Sequence, residues 1–273
     1  MTRKVIHIWG ICGIGGLLSK YMDKYFDYNS ISIARKSHDV FKHSNEKTLV
    51  WNNKASIWSM RCALKARSFD IIHLHSGIQW LKYYRFFYPN KKIVLHLHGT
   101  EIRGLWDKKD LSKANMILVS TPDLLEGSPD EVLYLPNPID EDLINYIKSC
   151  NIIKKKGIAF HSDRYASEVA MKYAKENNID IYTLERDTNP LNHIDFLKIV
   201  AEYEYYIDVK RDFPNHLYGS LILEYSSLTG LEALALGCKV IKWNNEIIEG
   251  LPDRHKSLYI ANLLNNYYNR LYD

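Results

Sequence analysis

Residues 224–238 read Glu-Tyr-Ser-Ser-Leu-Thr-Gly-Leu-Glu-Ala-Leu-Ala-Leu-Gly-Cys, and this segment says more about the protein than any other. Its small and apolar residues predict a helix that ends at Gly237 and leads into a short strand, Val240-Ile241. Glu224 precedes the helix and Glu232 opens it, with seven residues between them. Two carboxylates on one side of a helix start, about two turns apart, can bind the hydroxyls of one ligand such as a sugar nucleotide. Two solvated glutamates beside the helix are the alternative.

Around this segment, strand-like apolar runs alternate with helical stretches along the chain. Such an order predicts an α/β fold with parallel sheets that are covered by helices on both faces. A linker with Pro136 and Pro138 interrupts the alternation, because two prolines exclude a continuing helix. The sequence therefore predicts two domains, residues 1–150 and 151–273, with a ligand cleft between them. The tail, His255–Tyr272, is a further predicted helix, and its return to the first domain is left open.

The lengths of the apolar runs and of the periodic segments define the expected elements. The predicted strands are Val5–Trp9, Ser30–Ala34, Thr48–Trp51, Ile71–His75, Ile93–His96, Met116–Val119, Val132–Leu135, Ile158–Phe160, Ile179–Leu184, Tyr205–Val209 and Lys239–Ile241. The predicted helices include Ile57–Arg67, Gln79–Phe87, Glu141–Ser149, Arg164–Asn177 and Ile194–Glu202.

The composition is that of a globular protein with a mild charge. The chain has 273 residues, a formal net charge of +4 and 46% hydrophobic residues, enough for one or two domains with a real core. No concentrated basic face is indicated, so nucleic acid is not expected as a partner. The four cysteines are far apart and form no Cys-x-x-Cys pair, which suggests neither a disulfide framework nor a zinc site.

The first residues admit two interpretations. Thr2-Arg3-Lys4 and the apolar run over residues 5–18 could pass for a signal peptide. A histidine and four glycines within the run, and the lack of a small-residue cleavage site, favour a strand followed by a glycine loop. No run of 18 apolar residues occurs, so no membrane span is predicted. We expect a cytoplasmic protein and leave open a location at the inner membrane surface.

The glycine loop consists of Gly10, Gly13, Gly15 and Gly16, which follow the first predicted strand and open a helix. Glycines let the backbone approach a phosphate closely, and the amides at a helix start attract anions. The spacing is Gly-x-x-Gly-x-Gly-Gly, so the dinucleotide-binding fingerprint Gly-x-Gly-x-x-Gly is absent. Phosphate binding and an ordinary tight turn both remain open for this loop.

Two successive predicted strands each end in a His-x-His pair, His73 with His75 and His96 with His98. Alternation along a strand sends the two members of a pair to one face. Four histidines invite a metal interpretation. No acidic or cysteine ligand stands beside them at a matching spacing, however, and histidines at strand ends commonly bond to loop backbone. We therefore predict no metal site.

The Glu-x7-Glu spacing resembles that of the family 4 retaining glycosyltransferases. The strand ends at residues 70–76, 98–99 and 117–120 and the linker 136–140 occur in the order of that family, with Pro138 in place of its usual glycine. The resemblance implies a GT-B-like fold, in which two Rossmann-like domains face each other across a cleft. It also implies a reaction without an essential divalent ion. Asp140-Glu141-Asp142 matches the Asp-x-Asp of metal-dependent glycosyltransferases, but acids at this place are expected to cap a helix.

The resemblance also implies roles for individual residues. His98 and Glu224 would contact the donor sugar as the catalytic candidates, and Glu232 would bind the ribose hydroxyls. Arg164 would bind the donor diphosphate, because forked donors suit pyrophosphate. The remaining donor-binding candidates are Gly13, Gly15, Gly16, Ser226, Ser227 and Leu228. Tyr225-Ser226-Ser227 stands where the family usually has Gly-Phe-Gly, so the shape of this loop is expected to differ.

A basic and aromatic segment lies within the predicted helix Gln79–Phe87 and next to it. Its candidates for contact with an anionic membrane are Trp80, Lys82, Tyr83, Arg85 and Phe86. The alternative is a partly buried helix whose long cationic side chains extend to solvent.

Three functions remain in competition at this stage. The first is a retaining glycosyltransferase that moves a sugar from a UDP- or GDP-linked donor to a hydroxyl of a glycan, a lipid or a small molecule, without a cofactor. The second is a sugar-nucleotide epimerase of the same GT-B fold. The third is a non-catalytic protein that binds anionic polymers. The sequence leaves the donor sugar, the base and the acceptor open.

Overall fold

The computed structural model describes residues 2–161, 166–184, 191–208, 210–211, 222–223, 226–242 and 244–273. Its strands are β1 (Arg3–Ile8), β2 (Tyr28–Arg35), β3 (Thr48–Trp51), β4 (Ile71–His75), β5 (Lys92–Leu97), β6 (Met116–Val119), β7 (Leu133–Tyr134), β8 (Lys155–His161), β9 (Asp180–Leu184), β10 (Tyr203–Ile207), β11 (Lys210–Arg211), β12 (Ile222–Leu223), β13 (Lys239–Ile241) and β14 (Ile247–Ile248). Its α-helices are α1 (Ile14–Tyr25), α2 (Ala55–Ala66), α3 (Ile78–Phe87), α4 (Glu141–Ser149), α5 (Ala166–Asn177), α6 (His193–Ala201), α7 (Leu228–Ala235) and α8 (Ser257–Arg270).

The chain divides into two compact units. The first unit comprises residues 1–138 and 257–273, and the second comprises residues 139–256. The division after Pro138 precedes the boundary expected at residue 150, so α4 lies in the second unit rather than in the first. The reason is packing: Ile144 and Ile147 of α4 are buried in the core of the second unit.

The first unit is built on seven parallel strands in the order β3-β2-β1-β4-β5-β6-β7. All five residues of β4 are buried, as is every residue of β5 after Lys92. Strands that are buried on both faces are what a parallel sheet covered by helices requires. Trp58 of α2 and Tyr84 of α3 are buried in the core on one face, and Leu18 of α1 is buried in the core on the other.

The last helix, α8, belongs to the first unit. Its Leu264 and Tyr268 are fully buried in the core that also contains Leu18 of α1. The hydroxyl of Tyr267 donates a hydrogen bond of 2.9 Å to the carbonyl oxygen of Tyr134 in β7. A segment at the end of the chain therefore completes a core that begins at its start.

The second unit contains a five-stranded sheet in the order β14-β13-β10-β8-β9, parallel except for the β13–β14 pair. Alternate residues of β8 point to opposite cores: Ala159 packs with α4, α6 and α7, whereas Ile158 and Phe160 pack with α5. At the start of α4, the carboxylate of Asp140 accepts a hydrogen bond of 3.3 Å from the amide of Leu143. The Asp-x-Asp segment is thus a helix cap, as expected.

The sequence-based elements agree closely with the structure. The predicted bounds of β3, β4, β6, β13 and α4 are those observed, and most others differ by one to three residues. Val209, the predicted end of a strand, lies outside the described residues. None of the described helices has the length and the apolar run that crossing a bilayer requires.

Candidate functional site

The carboxyl edge of the first sheet carries a cluster of five histidines from three neighbouring strands. Strand register sets His7 of β1 beside His73 of β4, and His75 of β4 beside His96 of β5. His98 follows β5 directly. The ring centres of seven pairs in this histidine cluster lie 4.3–5.4 Å apart. The two His-x-His pairs were noted in the sequence, but the contribution of His7 was not.

Three of these rings, those of His7, His75 and His98, are connected in a row by hydrogen bonds, which we call the hydrogen-bonded file. His7 Nδ1 lies 3.1 Å from His75 Nε2, and His75 Nδ1 lies 3.0 Å from His98 Nε2. A neutral imidazole has one donor and one acceptor nitrogen. Both bonds therefore run in the same direction, so the tautomer of His98 determines the tautomers of His75 and His7.

Burial keeps the cluster uncharged. It lowers the pKa of His7 to about 3 and that of His98 to about 4, although the nearby Glu101 carboxylate opposes the latter shift. The pKa values of His73, His75 and His96 also lie well below the usual value, because of burial and then of repulsion between neighbouring imidazoles. Near neutral pH all five rings are neutral, with lone pairs that can accept a proton or bind a ligand.

Several ring nitrogens of the cluster make no hydrogen bond to any described residue. His96 has none on either nitrogen, and the other such atoms are His7 Nε2, His73 Nε2 and His98 Nδ1. The second nitrogen of His73, Nδ1, lies 2.7 Å from the hydroxyl of Tyr268. A buried polar atom without a partner costs roughly 1–3 kcal/mol. The cluster therefore leaves buried ring nitrogens that could accept or donate a further bond.

His98 is held at its backbone by the carboxylate of Glu101. Glu101 Oε1 accepts hydrogen bonds of 2.5 Å from the amide of His98 and from the hydroxyl of Ser76. The residue is half-buried, whereas His7, His73, His75 and His96 are fully buried. Of the five histidines, His98 is thus the least buried.

The three glycines predicted to bind phosphate are explained by packing within the first unit. A side chain on Gly15 would come within 2.7 Å of Ser32 Oγ and 3.3 Å of His75 Nε2. One on Gly16 would come within 2.5 Å of the side chain of Asn45, and Gly13 has a left-handed φ of +73°. All three glycines are buried. Their identity is required by the fold, whether or not a phosphate binds nearby.

Helix α3 presents part of the predicted membrane-contact face to solvent. Lys82, Tyr83 and Phe86 are exposed, whereas Trp80 and Arg85 are half-buried. Arg85 does not belong to this face, because its guanidinium donates hydrogen bonds to the carbonyl oxygens of Pro89, Lys91 and Lys113 and to the side chain of Asn115. It fixes the end of α3 instead.

An apolar cavity of about 390 Å³ opens beside α3. Its walls come from α2, α3 and the ends of β1 and β4, and include Trp9, Trp58, Leu64, Trp80 and Tyr84. Phe87 also lines it, and the side chains of Leu64 and Phe87 are exposed at the surface. The cavity can therefore accept an apolar group from solvent.

In the second unit, the start of α7 lies at the carboxyl edge of the sheet. Ser227 caps the helix: its hydroxyl accepts a hydrogen bond of 3.0 Å from the amide of Gly230. The amide of Ser227 donates one of 2.9 Å to Asp208, which follows β10. A side chain on Gly230 would lie 2.6 Å from Asp208 Cγ, so this position requires glycine. Two of the predicted donor-binding residues, Ser226 and Leu228, flank the cap.

Asp208 also pairs with a buried lysine. Lys242 follows β13, which is adjacent to β10 in the sheet, and its ammonium nitrogen lies 3.4 Å from Asp208 Oδ2. Both side chains are only 4% exposed. Because a buried charge is tolerated only with a partner, this pair fixes two charges of opposite sign next to the start of α7.

Glu232 is buried in α7 and has a partner from α6. Its Oε1 lies 2.8 Å from Nε2 of His193, and the two side chains are 5% and 11% exposed. The carboxylate is thus oriented within the second unit and does not extend into solvent. Glu224 and Arg164, predicted to bind sugar and diphosphate, lie outside the described residues.

Sequence reasoning missed Asp208, Lys242 and His193. A usable signal existed for the first two, because each follows an apolar strand directly, where ligands of parallel sheets bind. His193 stands near the start of a predicted helix without any motif. Its contact with Glu232 depends on how α6 packs against α7, and no local sequence pattern predicts that packing.

Three solved structures show which fold this is. UDP-GlcNAc 2-epimerase from Neisseria meningitidis bound to UDP-GlcNAc matches with a TM-score of 0.52 at 11% identity, over 98% of this chain and 93% of that one. UDP-N-acetylglucosamine 2-epimerase from Rickettsia bellii matches with 0.51 at 12% identity, over 99% and 96%. An alpha-glucosyltransferase in complex with UDP matches with 0.50 at 11% identity, over 89% and 80%. The chain therefore has a GT-B-like fold with two Rossmann-like sheets.

The sequence itself provides no closer link. No protein-family model matches the chain, and no curated protein sequence does. Identities this low establish the fold alone, since one fold can support many functions.

Proposed function

We propose that this protein binds a nucleoside-diphosphate sugar and transfers the sugar, with retention, to an acceptor hydroxyl, as a member of the family 4 retaining glycosyltransferases. The observation that carries the proposal is the start of α7. It joins a capped helix terminus, a buried acid–lysine pair and the second glutamate of the Glu-x7-Glu spacing at the carboxyl edge of a parallel sheet. That edge is where sheets of this kind bind nucleotides.

The diphosphate would bind at the amide end of α7. Backbone amides at a helix start attract phosphate oxygens through hydrogen bonds and the helix dipole. Ser226 and Leu228 would supply them, because the amide of Ser227 between them already donates to Asp208. Arg164 would add a forked cation. Departure of the diphosphate creates negative charge, and fixed amides and cations that face it stabilise the transition state.

Glu232 would bind the ribose. His193 holds one of its oxygens, and a carboxylate can accept several hydrogen bonds. The remaining acceptor positions suit the two hydroxyls of a ribose. His98 and Glu224 would contact the sugar, as the family resemblance implies. His98 is half-buried, and its Nδ1 has no hydrogen-bond partner among the described residues.

The acceptor would carry an apolar portion. The cavity beside α3 and the exposed side chains of Lys82, Tyr83 and Phe86 support this part of the proposal. A lipid-linked acceptor would explain both features, since aromatic and cationic side chains together favour the surface of an anionic bilayer. The enzyme would then work in the cytoplasm at the inner face of a membrane, with UDP- or GDP-sugar as the donor.

A second candidate is a sugar-nucleotide epimerase. It is favoured by the file from His98 through His75 to His7, because neutral imidazoles in a chain can pass a proton. Two of the three similar solved structures are UDP-GlcNAc 2-epimerases. An epimerase would act on the donor without an acceptor.

Binding and product analysis test the proposal. The protein is titrated calorimetrically with UDP-GlcNAc, UDP-glucose, GDP-mannose and the free nucleotides, and Glu232→Gln is compared with Glu249→Gln, whose side chain is exposed. We expect Glu232→Gln to weaken donor binding at least tenfold and Glu249→Gln to leave it unchanged. Equal binding by both variants, with folding verified by circular dichroism, would remove Glu232 from the site.

Proton NMR of the incubated donor then separates the candidates. Release of nucleoside diphosphate that depends on an added acceptor supports the transferase, and conversion of the donor to its epimer without acceptor supports the epimerase. Retention on anionic polymers with steep salt dependence, and no donor binding, would support the non-catalytic alternative instead.

A further inference from the structure

We propose that His75, His96 and His98 form a binding site for one divalent transition-metal ion of the zinc type. The sequence-based prediction of no metal site assumed that an acidic or cysteine ligand is needed. Three imidazoles are a sufficient set, because zinc also takes three histidines and a water molecule. The inference concerns the first unit alone and does not rest on the proposed function.

The spacing of the rings fits a tetrahedral ion. One nitrogen from each ring can be chosen so that all three lie within 4.8 Å of one another, and His75 Nδ1 and His98 Nε2 are 3.0 Å apart. With bonds of about 2.0–2.1 Å, two ligand nitrogens of a tetrahedral zinc ion lie roughly 3.3–3.4 Å apart and their ring centres about 5 Å apart. The ring centre of His75 lies 5.2 Å from the ring centre of His98 and 5.3 Å from that of His96.

His96 is the residue that calls for an ion. It is fully buried, and neither ring nitrogen has a hydrogen-bond partner among the residues that the structure describes. The hydrogen-bonded file explains His7, His75 and His98 but not His96. An ion between the three rings gives His96 a partner.

The surroundings supply a second layer of hydrogen bonds for the ring of His75. A ligating histidine normally donates its other ring N–H to a fixed acceptor, which sets the tautomer and the ring orientation. With the ion on Nδ1 of His75, its Nε2 donates to Nδ1 of His7 across 3.1 Å. Glu101 and Ser76 fix the backbone of His98 from the other side.

The ligand type and the access route select the ion. Imidazole nitrogens favour zinc, copper, nickel and cobalt over magnesium and calcium, which prefer oxygen. The half-buried His98 gives an ion a path from solvent. The neighbouring triad of His7, His73 and His75 is less suitable, because all three of its residues are fully buried.

Cobalt titration of the full-length protein tests the site. The protein is freed of metal with a chelator and titrated with Co²⁺, whose visible absorption reports its ligands and geometry. We expect one Co²⁺ per chain, with a spectrum of nitrogen and oxygen ligation, and displacement by one equivalent of Zn²⁺. Both His96→Gln and His98→Gln should weaken binding at least tenfold, and His38→Gln, at an exposed histidine, should leave it unchanged.

Several outcomes would overturn the proposal. They are the absence of saturable binding, the same spectrum and affinity in His98→Gln, and a thiolate-to-cobalt charge-transfer band, which would place the ion on a cysteine. If His96→Gln does not fold, His98→Gln decides, because that side chain is at the accessible edge of the cluster. None of these measurements involves a sugar nucleotide, so failure here would leave the donor-binding proposal untouched.

Discussion

The carboxyl edges of the parallel strands in the two sheets differ in how they hold buried polar groups. At the edge of the first sheet, five imidazoles are packed together and kept neutral by burial. At the edge of the second, Asp208 with Lys242 and Glu232 with His193 are buried as pairs. One edge keeps its buried groups uncharged, whereas the other places each buried acid against a nitrogen-bearing side chain. Similar folds thus reach a buried polar edge by two physical routes, which respond differently to pH and to mutation.

The largest expected effect that separates the two edges is acid sensitivity of the first unit. The folded-state pKa values of the five rings lie below the ordinary value of 6.5. The unfolded chain therefore binds more protons below pH 6.5, and stability falls as the pH decreases through that value, by about 1.4 kcal/mol per ring and pH unit. From pH 7 to pH 5 we therefore expect the first unit to lose stability, because the unfolded chain gains protons that the neutral, buried rings do not.

Hydrogen exchange measured by mass spectrometry can follow each unit separately across this pH range. Peptides of β1, β4 and β5 should lose protection well before those of β10 and β13. The variant His98→Gln should show a shallower pH dependence, and His38→Gln should match the wild type. Loss of protection at the same pH in both sheets would contradict the expected difference in acid sensitivity between the two units.

The next effect concerns the buried pair of the second unit. Asp208→Ala leaves Lys242 charged and buried, and also removes the acceptor for the amide of Ser227. Breaking such a pair costs about 3–5 kcal/mol, to be measured by urea unfolding at pH 7. The double variant Asp208→Leu/Lys242→Leu should lose less than Asp208→Ala. A larger loss in the double variant would show that the charge left on Lys242 does not determine the effect, because both variants lack the acceptor for the amide of Ser227.

The smallest effect separates the two helix starts. Ser227 caps α7 with its side chain, whereas α1 begins at Gly13 without a side-chain cap. Ser227→Ala should therefore cost about 1 kcal/mol, and Ser227→Gly only a few tenths of that. Thermal unfolding measures both, with Ser226→Ala as the control. Equal stability of all three variants would mean that the capping bond contributes nothing.

Sequence patterns predicted the helices and strands far better than the contacts between them. The bounds of β4 and α4 came out as observed, because an apolar run and an aspartate cap are local signals. The contact between His7 and His73 depends on which strands become neighbours in the sheet. The contact between Glu232 and His193 depends on how two helices pack. Neither is encoded within one segment. The requirement for Gly15 likewise arises from Ser32 and His75, which lie far from it in the sequence.

Helix α8 has a consequence for biosynthesis. The core of the first unit needs Leu264 and Tyr268, and the hydroxyl of Tyr268 also reaches His73 in the histidine cluster. On the ribosome, residues 139–256 emerge before this helix does. The unit that contains the first residues is therefore the last to be completed. Until α8 has been translated, one apolar face of its sheet lacks the helix that covers it in the folded protein.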